Sequence, residues 1–154
     1  MFEGALLAIY TVPSAGEPAV EHSTIAAKAG CGLEGDRFAT DVAKHTRGYT
    51  KIRAVSLIEE ETVAALARDH AIAVTPIELR RNLLTRGVPL NHLVGRRFRI
   101  GEVLLEGTEL CEPCQYLADR LGRPVLKPLL HRGGLRAAIL GSGTLAVGAT
   151  IRPA

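Results

Sequence analysis

Two cysteines set either side of a Glu-Pro pair, Cys111 and Cys114 in "ELCEPCQYL", have the types and spacing that most directly suggest chemistry, and the chain carries only one other cysteine, Cys31. A CxxC can serve as a redox pair, as half of a zinc site, or as one working thiolate with an accessory neighbour. With Pro113 at the first position of a helix, Cys114 and Gln115 fall in its first turn. Unpaired backbone N–H groups and the positive end of the helix dipole favour a thiolate there. This predicts Cys114 as the reactive thiol and Cys111 as a resolving or structural partner. Two buried cysteines packing as small hydrophobes are the bland alternative. A thioredoxin-like dithiol needs a βαβ setting, whereas this pair follows a hairpin pattern. Structural zinc needs a second CxxC or a well-spaced His pair, and the chain offers Cys31 and scattered histidines.

The other candidates are mostly basic. "GLEGDRFA", residues 32 to 39, is a glycine-flanked loop in which Arg37 could grip an anion and Asp36 could orient Arg37 or bind a metal-bound ligand, although such a pair is more often a surface ion pair. "ELRRNLLTRG" supplies Arg80, Arg81, Asn82 and Arg86. Read as a helix, it puts residues 82 and 86 on one face while 80 and 81 point elsewhere; a solvated basic face is the alternative. His131, beside Arg132 and a double glycine in "HRGGLRAAIL", reads as solvent-exposed. The GxG at 141 to 143 lacks a strand-to-helix setting, which excludes a dinucleotide fingerprint.

The elements that must position these residues are mostly strands. Alternation and β-branched content predict strands over 5–12, 51–58, 96–101 and 103–110, the last two joined as a hairpin through Gly101-Glu102. A second hairpin is expected from "LRAAIL", "GSG" and "TLAVGATI". Helices are expected from Glu59, from the Thr75–Glu78 capping box with Pro76 at its first position, through "QYLADRL" to Gly122, and over "PVLKPLLHR" as far as Pro128 allows. Residues 13 to 50 are irregular and rich in glycine and proline. The fold class expected is mainly β with helical insertions, an α+β chain around a barrel-like core, in one domain over 1–154.

Composition excludes several function classes. The net charge of +3 comes from 19 basic and 16 acidic residues without long like-charge runs, which disfavours nucleic acid and suits a small anionic ligand. No segment approaches the roughly 20 apolar residues of a membrane span. An odd cysteine count and the lack of a signal-like N-terminus make the expected setting cytoplasmic, with reduced thiols.

Taken in order, "GLEGDRFA", "RAVSLIEEE", "ELRRNLLTRGVPLNHLVGRRFRIG", "LCEPC", "HRGGLRAAIL" and "GTLAVGATI" resemble the MOSC family, the domain at the C-terminus of molybdenum-cofactor sulfurases. The resemblance runs from about residue 32 to 151 and implies a small stand-alone member with a β-barrel core and short peripheral helices. It implies that Cys114 ligates molybdenum in a bound molybdenum cofactor (molybdopterin), as in the amidoxime-reducing proteins of mitochondria, or carries sulfur as a persulfide. Asp36, Arg37, Arg81, Asn82 and Arg86 become expected cofactor contacts, because the cofactor brings a phosphate and a dithiolene. A reductase of N-hydroxylated substrates would need an electron-donor protein; the alternative, a non-catalytic sulfur carrier for metal-sulfur cluster or cofactor assembly, would need a sulfur donor. In one place the chain departs from the family: Ala149 in "VGATI" stands where relatives often have an acid.

Overall fold

The computed structural model describes residues 1–40 and 52–154. Lys51 of the predicted 51–58 strand, and positions 41 to 50 of the irregular stretch, lie outside the described residues. The chain begins with β1 (Gly4–Thr11), β2 (Val20–His22), β3 (Thr24–Lys28), β4 (Gly32–Leu33) and a single helical turn, α1 (Arg37–Thr40). β5 (Val55–Glu59) leads directly into α2 (Glu60–His70), followed by β6 (Leu83–Arg86), β7 (Arg97–Ile100) and β8 (Val103–Leu110). The last part holds α3 (Gln115–Leu121), β9 (Leu135–Gly141), β10 (Gly143–Ala146) and β11 (Thr150–Pro153).

Seven strands close a barrel in the order β11-β7-β8-β9-β5-β6-β1, with β1 pairing back to β11 through Gly4↔Ile151. β2 is appended to β1, and β10-β3-β4 form a second, three-stranded sheet. Closure removes free edges but demands curvature. Register shifts between Leu6 and Ala8 on β1, and between Leu104 and Leu105 and between Gly107 and Glu109 on β8, supply bends. The mainly β expectation with a barrel core and few short helices is what the fold delivers.

Alternation along the strands divides the apolar residues between two clusters. Leu6, Ile9, Leu57, Leu83, Phe98 and Leu135, among others, fill the barrel. Ala8, Tyr10, Ile58 and Leu84 point the other way and join Leu66 of α2 and Leu117 and Ala118 of α3 in an outer cluster. α2 starts with Glu60 and Glu61 at its positive end and stops at Ala71, whose φ of 54° closes a left-handed cap. Pro76–Leu79 forms a 3₁₀ turn with the expected capping box, in which Thr75 N–H donates to Glu78 Oε2 at 2.7 Å. Among the described residues no helix is long and apolar enough to cross a membrane.

Three expectations are corrected. "ELRRNLLTRG" is not a helix: after the 3₁₀ turn it becomes β6, whose Leu83, Leu84 and Thr85 are all buried because the strand is covered on both faces. The C-terminal hairpin does not form. β9 already has β5 and β8 as neighbours, so β10 leaves the barrel and pairs with β3. "PVLKPLLHR" makes successive turns, since Pro128 has no N–H to continue a helical ladder.

Candidate functional site

Register explains where the chemistry-bearing residues collect. Ile9, Leu83, Leu57, Leu135 and Leu110 are linked partner to partner across β1, β6, β5, β9 and β8. Leu57, Leu83 and Leu135 point into the barrel, so the residues one step along, Ser56, Asn82 and Arg136, face outward. They line a cleft of about 120 Å³ beside the loop that carries Asp36 and Arg37 and the start of α3. Arg37, Arg80, Arg81 and Arg136 line it together with the one carboxylate of its lining, Asp36. Cys114 and Tyr116 lie in the same lining, both exposed.

Asp36 is only 1% exposed. Its Oδ1 accepts from Val12 N–H at 2.9 Å and from Asn82 Nδ2 at 3.3 Å, while Oδ2 accepts from Phe38 N–H at 3.3 Å, starting α1 as an N-cap does. Burial pushes its carboxyl above the ordinary range, against the pull of the Val12 and Phe38 N–H groups, the Asn82 amide and the Arg37 charge. Asn82 is the hub of the wall. Its Oδ1 accepts from Ser56 N–H at 3.0 Å and Ser56 Oγ at 3.2 Å, and its Nδ2 donates to Tyr10 O at 3.0 Å.

Arg81 is buried and engaged by backbone. Nε donates to Gly133 O at 2.9 Å, Nη2 to Cys111 O at 3.2 Å and Nη1 to Leu79 O at 3.3 Å. It therefore ties together the 3₁₀ turn, the end of β8 and the turn before β9. The double glycine at 133–134 serves this packing: a Cβ on Gly133 would strike the Cys111 carbonyl, and one on Gly134, at φ +113°, the Leu57 carbonyl.

The two cysteines of the CxxC are unequal. Cys111 is fully buried, donates its N–H to Gly134 O at 2.7 Å and stays out of the cleft lining. Cys114 is exposed and, with φ −132° and ψ 164°, is the N-cap of α3. Pro113 thus lies one position before the cap; it is not the first helical residue, and Cys114 sits two positions further out than the sequence suggests, at the cap and not inside the first turn. Glu112 between them accepts from His131 N–H and pairs with His131 Nδ1, each at 2.9 Å, which binds the cysteine loop to the turn ahead of β9. All three cysteines are free.

The cleft brings together Asp36, Arg37, Arg81, Asn82 and Cys114 and excludes Arg86. That residue ends β6 on the far side, 61% exposed and paired with Glu60 at 2.8 Å. The helical reading of residues 80–86 missed Arg80, which caps the 3₁₀ turn at φ 59° and lines the cleft, its Nη1 donating to Glu17 O at 2.8 Å. Ser56, Tyr116 and Arg136 were missed as well. An arginine in the apolar run "GLRAAIL" was a usable signal, since alternation alone sets it apart from Leu135 and Ala137. Ala149, where the resemblance leads one to expect an acid, sits in the turn before β11. Its N–H donates to Ala146 O at 3.0 Å and it packs on the barrel core, outside the cleft lining.

The fold and the cleft define a closed β-barrel protein whose outer wall places one exposed thiol beside a set of arginines. More specifically, the chain belongs to the MOSC domain family, whose model matches residues 44–152. The fold is similar to that of the YUAD protein from Bacillus subtilis, at 16% identity, TM-score 0.78 and coverage of 98% of this chain and 97% of that one. It is also similar to YiiM from Escherichia coli, with 21% identity, TM-score 0.68 and coverage of 100% and 70%, and to YiiM from Geobacillus stearothermophilus, with 15%, 0.68, 98% and 75%. Comparison with curated proteins returns no match.

Proposed function

We propose that this protein binds a molybdenum cofactor in the cleft, with Cys114 as the protein ligand to the metal and arginines on the cofactor's phosphate. The observation that carries the reading is the meeting of an exposed thiol with four arginines and a single carboxylate in one cleft lining. The donor set suits the group. A thiolate is a good ligand for a metal already held by sulfur, and the buried Nε of Arg136 has no hydrogen-bond partner among the described residues. Sites that engulf a whole drug-sized ligand hold roughly 300–1,000 Å³. A cleft of about 120 Å³ would therefore take only one end of such a group.

Bound there, the cofactor would supply oxygen removal from N-hydroxylated compounds such as amidoximes or hydroxylamino bases, with electrons from a separate donor protein. The chain's own residues divide the remaining work. Cys114 would hold the metal, the other cleft arginines would hold and orient the anionic part, and Arg81, Asn82 and Asp36 keep the walls in place. A reducing compartment such as the cytoplasm keeps Cys114 a thiol.

The exposure of Cys114 also suits a second reading, a persulfide carrier. One experiment separates the two: molybdenum, pterin and intact-mass analysis of wild type, Cys114→Ala and Cys111→Ala made in a cofactor-competent host. Wild type is expected to carry molybdenum and pterin, and Cys114→Ala to lose both. Metal-free wild type bearing a dithiothreitol-sensitive extra sulfur would replace the cofactor reading with the carrier.

A further inference from the structure

We infer that Arg136, assisted by Arg80, forms an oxyanion seat beside Cys114, one that works without the metal. This deepens the reading above, resting on the same cleft, and assigns its anion contacts to two arginines that are not needed to hold the walls together. The four cleft arginines differ in how they are engaged. Arg81 is committed to three backbone carbonyls. Arg37 lies over the Phe38 ring, 5.0 Å from its centroid. Arg80 gives one N–H to the Glu17 carbonyl, which uses one of the five donors a guanidinium carries.

Arg136 is the outlier. It projects outward from β9 opposite Ser56, and its Nε is shielded from solvent without a hydrogen-bond partner among the described residues. The nearby carboxylate, Glu109, is already paired with Arg53 at 3.1 Å. Burial, together with the charges of Arg53 and Arg81, weakens the hold of this guanidinium on its proton, against the opposing influence of Cys111 and Glu109. A largely buried cation with no counter-ion of its own among the described residues is costly to a fold, and an anionic ligand in the cleft would remove that cost. Since Arg136, Arg80 and Cys114 line the same small space, an oxyanion held by the two guanidinium groups lies next to the Cys114 sulfur.

Anionic and neutral alkylating reagents test this directly. Whole protein from a host unable to make molybdopterin, with its thiols reduced, is treated at one pH with iodoacetate or iodoacetamide, and modification of Cys114 is followed by peptide mass mapping. The iodoacetate-to-iodoacetamide rate ratio is expected to exceed that of glutathione by about tenfold. Inorganic phosphate should slow iodoacetate competitively, and added salt should shrink the advantage. Arg136→Met should remove most of the advantage, Arg136→Lys should keep part of it, and Arg80→Met should reduce it. The last variant carries the test if Arg136→Met does not fold. A wild-type ratio no higher than that of glutathione, or one unchanged in the arginine variants that fold, overturns the seat. Anion-guided alkylation in a protein that never carries molybdenum keeps the seat and removes the cofactor reading. Molybdenum bound through Cys114 without anion guidance does the reverse.

Discussion

At the scale of single residues, polar side chains around the cleft have separate tasks that their types alone do not reveal. Arg81, chosen from the sequence as an anion contact, bonds three backbone carbonyls from different parts of the chain. Arg81→Met should therefore lower unfolding free energy by about 2–4 kcal/mol, read from urea melts, because it leaves buried acceptors unpaired. Arg86→Met, outside the cleft, should leave molybdenum content and the alkylation ratio of Cys114 unchanged. Asp36 makes a pH prediction. Its carboxyl titrates above the ordinary value, so the native state holds the proton more tightly than the unfolded chain does. Its contribution is then most favourable below about pH 3.9 and declines as pH rises toward the raised native value. The stability of wild type relative to Asp36→Asn should fall across that window, and a difference independent of pH would refute the assignment. Cys114, Asp36 and Arg37 were legible because a cysteine after proline and a charged pair between glycines are local signals. Arg136 was legible only as an outward-facing arginine in an apolar run, since its role depends on a cleft built by five other segments.

At the scale of elements, turns were read more accurately than the apolar runs between them. The capping box at Thr75, the stop at Gly122, whose φ is 63°, and the turn at Gly101 are set by local backbone requirements, and all three appear as expected. β6 was missed because both of its faces are covered, and a run buried all round has no period to betray it. The lost C-terminal hairpin has a different cause: local turn glycines cannot tell whether β9 still has an open edge. The glycine pair before β9 does need its lack of side chains. Gly134→Ala should cost about 3 kcal/mol or more and broaden the urea transition, as a Cβ at φ +113° meets the Leu57 carbonyl in the β5–β9 seam.

At the scale of the whole molecule, the barrel is the frame against which the cleft is held. Phe98 is fully buried in the core, and Phe98→Ala should lower stability by about 3–5 kcal/mol, measurable by denaturant melts, while leaving the cleft residues in place as long as the chain folds. The sequence by itself determined the strand-rich composition, the main turns and the inequality of the two cysteines, because propensity, capping and glycine requirements act within a few residues. Only the tertiary structure decided that Asn82 and Arg81 hold the walls, that Arg86 faces away and that Arg136 joins Cys114. Those outcomes depend on which strands become neighbours and in which register, and register is set by closing the barrel as a whole.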